Sequence, residues 1–189
     1  MSLQATTWQT VGPYFRIGLE RLFESDIAGV LAQGPRITIE GRVLDGDGTP
    51  IPDALLEIWQ AAGNGKYAHP DDIQDKPLET GFHGFGRVPT DEKGRFHFTT
   101  IKPGPVPGLR NPQQAPHLDI GLMMRGLLKR LVTRAYFPGE PLNDQDEVLQ
   151  LVDSSRRATL LLQASPHAPD TFTWEIHMQG EDETVFFEI

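Results

Sequence analysis

Arg36-Ile37-Thr38-Ile39-Glu40-Gly41-Arg42-Val43 sets the period of the chain. Ile37, Ile39, Gly41 and Val43 alternate with Thr38, Glu40 and Arg42, the two-residue repeat of a half-buried strand. Asp45-Gly46-Asp47-Gly48-Thr49-Pro50 follows as a turn, and Leu55 to Gln60 is expected to return as the second strand of a hairpin. The glycines and aspartates supply turn geometry, and Pro50 and Pro52 suit an edge or a strand entry. Asp45 and Asp47 lack the further spaced oxygen donors and closing Glu of a calcium loop.

Outward from this stretch the pattern repeats. Asp91 to Gly94 separates Gly86–Val88 from Arg95–Ile101 and reads as a second hairpin. Further strands are expected at His117–Met124, Leu131–Phe137, Ala158–Gln163, Thr171–Met178 and Val185–Ile189. The apolar positions Leu19, Leu22, Phe23, Ile27, Val30 and Leu31 allow a short helix from about Gly18 to Ala32, with Ser25 or Asp26 as caps. Gly12-Pro13 argues against helix in the punctuated segment Thr10–Phe15. Val148, Leu149 and Val152 share a face of a second helix over Asp144–Val152. Many short strands with one or two helices predict an all-β sandwich or barrel. With no repeats or linkers, residues 1–189 are expected to form one domain, the first 35 being an arm and short helix.

Composition narrows the function classes. A chain 38% hydrophobic with 19 Gly and 16 Pro suits a folded, turn-rich protein rather than a disordered one. No cysteine is present, which excludes disulfides, thiolate nucleophiles and thiolate-bound zinc or iron–sulfur clusters. A formal net charge of −9 argues against a phosphate-backbone partner. No apolar run approaches the ~20 residues of a membrane span. The first ten residues lack a basic stretch followed by an apolar one, so the expected location is cytoplasmic.

Candidate chemistry rests on few residues. His117 and Asp119, two apart on a strand, face the same side and can reach one ion; Tyr67 and His69 are the obvious further donors. The same pair can equally bond to each other or line a wet face. No Gly-x-Ser-x-Gly elbow, phosphate loop or HExxH occurs, and Gly81, Gly84 and Gly86 read as turn glycines. Arg125, just after the His117–Met124 strand, is placed either to meet a carboxylate bidentately or to lie in solvent. Arg156 and Arg157 read as surface residues.

Glu57 to Tyr67, Gly84-Phe85-Gly86-Arg87, Thr90-Asp91, Gly94, Thr100 to Pro105, Pro116-His117, Thr133 to Phe137 and Gln179 to Phe187 run in the order found in intradiol ring-cleavage dioxygenases. The chain resembles that family over nearly its whole length. The resemblance implies an antiparallel β-sandwich of prealbumin or immunoglobulin-like form, and a chemistry in which non-haem Fe(III) and O2 open an aromatic diol. It also implies a ferric ion held by two tyrosines and two histidines. Here Tyr67 and His117 keep two of those positions, while Val106 and Asp119 stand at the others. Gln114 replaces the arginine that precedes the histidine pair.

That pattern resembles the family's alpha-type subunits, whose beta-type partner carries the iron. The resemblance therefore implies no bound cofactor and no catalytic residue in this chain. It implies instead that Thr10, Gly12, Pro13, Tyr14 and Arg125 line a partner's pocket near the carboxylate of protocatechuate, which is cleaved to 3-carboxy-cis,cis-muconate in higher-order alpha-beta assemblies. Val11 and Met124 differ from the small residues usual there, and the segment after Phe137 diverges. Alternatives are a free-standing, non-enzymatic β-sandwich binding module and a divergent enzyme with an altered metal.

Overall fold

The computed structural model describes residues 7, 9–10, 12, 14–108 and 113–188. Its strands are β1 (Arg36–Leu44), β2 (Leu55–Trp59), β3 (Phe85–Pro89), β4 (Arg95–Ile101), β5 (Val106–Pro107), β6 (Gln113–Gln114), β7 (His117–Met123), β8 (Leu131–Tyr136), β9 (Gln163–Ala164) and β10 (Thr171–His177). Two four-stranded sheets form, in the orders β4-β1-β10-β9 and β3-β2-β7-β8, with β5 and β6 as a small ribbon. Ile39, Val43, Phe96, Phe98, Trp174 and Ile176 of the first sheet meet Leu56, Ile58, Val88, Leu118, Ile120 and Ala135 of the second in one core. Each Val, Leu, Ile or Phe among them, fully buried, contributes about 1.5–3 kcal/mol. The expected β-sandwich is therefore the observed architecture.

In β1 the expected alternation holds at Ile37, Ile39 and Val43, which are buried. Gly41 continues the row where a side chain has no room, since a Cβ would lie 1.9 Å from the Trp174 carbonyl oxygen. The neighbours of β1 differ from expectation. It pairs antiparallel with β4 and parallel with β10, so the sandwich is not wholly antiparallel.

Neither expected hairpin closes within one sheet. Asp45 Oδ1 accepts the amides of Asp47 and Thr49 at 2.9 and 2.8 Å, and the Ile51 amide returns to the Val43 carbonyl. Pro52 has no amide to continue the ladder, and β2 joins the opposite sheet. Asp91 Oδ1 likewise caps its turn through the amides of Lys93 and Arg95, both at 2.8 Å, yet β3 and β4 lie in different sheets. Buried Thr90 ties the two crossings together: its hydroxyl accepts the Ala54 amide at 3.0 Å and donates to the Ile51 carbonyl at 2.8 Å.

The helix expected over Gly18–Ala32 is displaced. Helix α1 spans Tyr14–Leu19, a 3-10 turn follows at Glu20–Leu22, and the chain then runs extended. Glu24 bridges Arg87 and Asp26 bridges Thr99, so two strands take the backbone bonds a helix would use internally. Ile27 and Ala28, fully buried, are drawn into the cores. Ala158–Gln163 is a 3-10 turn (Arg157–Leu160) with only Gln163 left for β9. Among the described residues the C-terminal segment makes a single bridge, Val132 to Phe187, in place of the strand expected at Val185–Ile189, whose last residue lies outside them. Helix α2 (Glu147–Leu151) falls inside its expected range and is capped by Asp146. Among the described residues no helix is long and apolar enough to cross a membrane.

Candidate functional site

The outer face of the β3-β2-β7-β8 sheet carries a polar row in place of an apolar one. Trp59 lies opposite Asp119, and Asp119 opposite Arg134, across three neighbouring strands; His117 lies opposite Tyr136 one step along. Arg134 Nε donates to Asp119 Oδ1 at 2.8 Å, and Arg134 Nη1 donates to Gln114 Oε1 at 2.6 Å. His117 Nδ1 lies 2.7 Å from the Ala115 carbonyl. Its Nε2 is 3.7 Å from Asp119 Oδ2, too long for a hydrogen bond, so His117 and Asp119 are neighbours without being bonded.

Tyr67 closes over this row by stacking on Trp59, with ring centroids 5.7 Å apart. His69 meets the same indole edge-on at 6.1 Å. The loop before Tyr67 passes close to its neighbour: Gly65 has φ +80°, and a Cβ there would lie 2.1 Å from the Pro105 carbonyl oxygen. Next in sequence, Val106 is buried and pairs with Gln114. Burial, reinforced by the Asp119 charge, pushes the Tyr67 phenol well above its ordinary range, so it stays protonated and neutral. Burial opposes ionisation of Asp119, but His117 and Arg134 outweigh it and hold the carboxyl below the usual carboxylate range. The Arg134 contact is the shorter of the two, at 2.8 Å against 3.7 Å.

Asp72 holds the Tyr67 loop in place. Its Oδ2 accepts the Tyr67 amide at 2.7 Å, and its Oδ1 accepts the Gln74 amide at 2.9 Å. Burial resists the charge, but these bonds and those from the Gln74 side chain and Lys66 prevail, lowering the pKa to about 2. A carboxyl depressed on folding stabilises the fold above its unfolded pKa and loses that contribution as pH falls through the folded one. About 1–2 kcal/mol, after allowance for solvent screening, should thus disappear between about pH 4 and pH 2. Asp72→Asn should flatten the pH dependence of the unfolding midpoint in that window; an unchanged slope would count against this reading.

A second cluster lies at the far end of β7, about 20 Å from His117 at the rise of a strand. The Gly126 amide donates to Thr10 Oγ1 at 3.0 Å, and the Gly12 amide does so at 3.4 Å. Arg125 Nε pairs with Asp53 Oδ2 at 3.1 Å, and among the described residues the terminal nitrogens of this exposed guanidinium have no partner. The structure therefore brings Thr10 and Gly12 to the Arg125 loop. Tyr14 opens α1 and is 82% exposed, and Pro13 lies outside the described residues. Sequence reasoning missed Arg134 and Asp53. The signal for Arg134 was its two-residue spacing from Tyr136; nothing local marked Asp53. Arg156 and Arg157, read as surface residues, instead bind the backbone carbonyls of Glu183 and Val152.

A family model described as Dioxygenase matches residues 20–180. The chain belongs to the intradiol ring-cleavage dioxygenase family. The protocatechuate 3,4-dioxygenase alpha chain of Burkholderia cepacia is 41% identical, covering 100% of this chain and 99% of its own length. The beta chain from the same organism is 37% identical but covers 80% of this chain and 67% of its own. The dioxygenase domain of a carbohydrate-binding fusion from Streptomyces sp. SirexAA-E superposes with a TM-score of 0.61 at 26% identity, covering 86% of this chain and 89% of that domain.

The ferric ion of this dioxygenase family does not fit the residues present. Val106 offers no donor atom, and Asp119 is already paired to a guanidinium. Among the described residues no three His, Cys, Asp or Glu side chains are grouped to hold a metal.

Proposed function

We propose that the chain is an alpha-type subunit of a protocatechuate 3,4-dioxygenase, completing the substrate pocket of an iron(III)-bearing beta-type partner. The observation that carries this is the likeness to an alpha chain from end to end, against a partial likeness to a beta chain. The donor set at Tyr67, Val106, His117 and Asp119 supports it, because Val106 brings no donor atom and Asp119 is paired to Arg134. The partner's Fe(III) supplies the Lewis-acidic, redox-active centre when bound. This chain's contribution is positioning. Thr10 fixes the turn of Gly126 beside Arg125, and the terminal guanidinium nitrogens of Arg125, unpartnered among the described residues, are suited to a substrate carboxylate. By the same resemblance Pro13 and Tyr14 are assigned to the partner's pocket. Residues 1–189 act as one unit of a cytoplasmic alpha-beta assembly in aromatic catabolism, the beta-ketoadipate pathway, with residues 1–35 reaching the partner.

Expression of the full chain alone and together with a beta-type partner tests the reading. Alone, it should show no ring cleavage of protocatechuate and no tyrosinate–iron colour; together, the two should co-purify as a coloured complex yielding 3-carboxy-cis,cis-muconate. Stoichiometric iron with turnover in the isolated chain would overturn it. Failure to associate with any beta-type partner would favour the free-standing binding module.

A further inference from the structure

The His117 ring is held by its contact with the Ala115 carbonyl. A carbonyl only accepts, so Nδ1 donates in that contact and Nε2 is the ring nitrogen turned toward the row. That Nε2 is buried and has no hydrogen-bond partner among the described residues. Buried polar atoms are nearly always satisfied, so an orphaned imidazole nitrogen asks for an explanation. Around it stand the Asp119 carboxylate at 3.7 Å and, over the same row, the Tyr67 phenol. Nitrogen, carboxylate and phenol oxygen together make a metal donor set that lacks only a cation. The positive charge in the row is the guanidinium of Arg134, 18% exposed and fixed at once to Asp119, Gln114 and, at 3.3 Å, the Tyr136 hydroxyl.

We infer that Arg134 is the resident cation of this pocket: its guanidinium neutralises Asp119 in place of a metal ion, closes His117, Asp119 and Tyr67 to metals, and on removal leaves them as a divalent-metal site. The chemistry of arginine suits the role. It cannot lose its proton within proteins, so the block persists at every working pH. A dication entering beside it would share one carboxylate with a fixed positive charge in a partly buried setting, where repulsion is weakly screened. Swinging the side chain away is opposed from two sides, because Tyr136 is itself bonded to buried Asp146. The inference is independent of the alpha-type role and holds whether the chain completes a partner's pocket or stands alone.

Cobalt(II) titration of the full-length chain tests it, read by calorimetry, by visible absorption and by the metal-dependent shift of the thermal midpoint. The wild-type chain should show no saturable binding at this pocket. Arg134→Gln and Arg134→Met should each bind one cobalt at least about tenfold more tightly than wild type and gain thermal stability from it. Adding His117→Ala or Asp119→Asn to Arg134→Gln should abolish both gains, and Arg134→Lys, which keeps a cation, should stay closed. Saturable cobalt binding by wild type that is lost in His117→Ala would overturn the inference, as would a folded Arg134→Gln with no gain. Where loss of Arg134 strands the carboxylate and prevents folding, refolding Arg134→Gln with cobalt decides. Recovery of the folded circular dichroism signal is expected, and no recovery would refute it.

Discussion

Replacing Asp146 with alanine should destabilise the chain by about 3–5 kcal/mol, the cost of removing one member of a buried charged network. Asp146 is fully buried and serves four donors. Its Oδ1 accepts the amides of Val148 and Leu149 at 3.0 and 2.9 Å and the Tyr136 hydroxyl at 3.1 Å, and its Oδ2 accepts the Ala115 amide at 2.8 Å. The N-cap of α2 alone is worth about 1 kcal/mol, and each buried donor left without a partner costs about 1–3 kcal/mol. The consequence reaches the site, because the Ala115 carbonyl fixes the His117 ring and Tyr136 steadies Arg134. Asp146→Asn keeps one acceptor oxygen and should fall between wild type and alanine. Chemical denaturation of the three proteins measures the series; a loss below about 1 kcal/mol for the alanine variant would show that solvent or a rearranged α2 satisfies those donors.

The same hub marks where the sequence was readable and where it was not. The alternation of β1 and the borders of β7, β8 and β10 were legible because one face of each strand meets an apolar core, and a period of two records that directly. Pairing was not legible. Asp45 and Asp91 close tight turns that look like hairpin turns, but whether a chain returns to its own sheet or crosses to the other depends on partners distant in sequence. Thr90, which ties both crossings, carries no local signal of that task. The helix read from about Gly18 to Ala32 failed for a related reason: its apolar residues satisfy helical spacing, yet Ile27 and Ala28 are taken up by cores that only the folded sheets create. At the site, Tyr67, Val106, His117 and Asp119 were legible as a broken donor set through family resemblance. Arg134 lay within the quoted motif, but its meaning appears only when the β7–β8 register sets it opposite Asp119.

Arg125→Ala in the assembled alpha-beta complex should raise the KM for protocatechuate about 10- to 100-fold, the equivalent of about 1.5–3 kcal/mol for hydrogen bonds to a charged group. Turnover at saturation should change little, because the guanidinium meets a part of the substrate away from the reacting carbons and binds ground and transition states alike. Catechol, which has no carboxylate, should show nearly the wild-type KM, and equal losses on both substrates would refute the role of Arg125. Asp53 gives the experiment a second arm. Its Oδ2 holds Arg125 through Nε and the main-chain amide at 3.1 and 3.4 Å, directing the guanidinium while leaving its outer nitrogens open. The guanidinium is open while the carboxylate is largely covered, and Asp53→Asn, which keeps the size and shape of the side chain, should leave the fold intact. Its effect on substrate is a balance: removing a competing anion strengthens the pull of Arg125 on a carboxylate, while freeing the side chain costs ordering entropy on binding. The Asp53→Asn shift should therefore be well under that of Arg125→Ala and should vanish in the Arg125→Ala background. Additive effects in the double variant would mean that Asp53 acts on the substrate by a route that does not pass through Arg125.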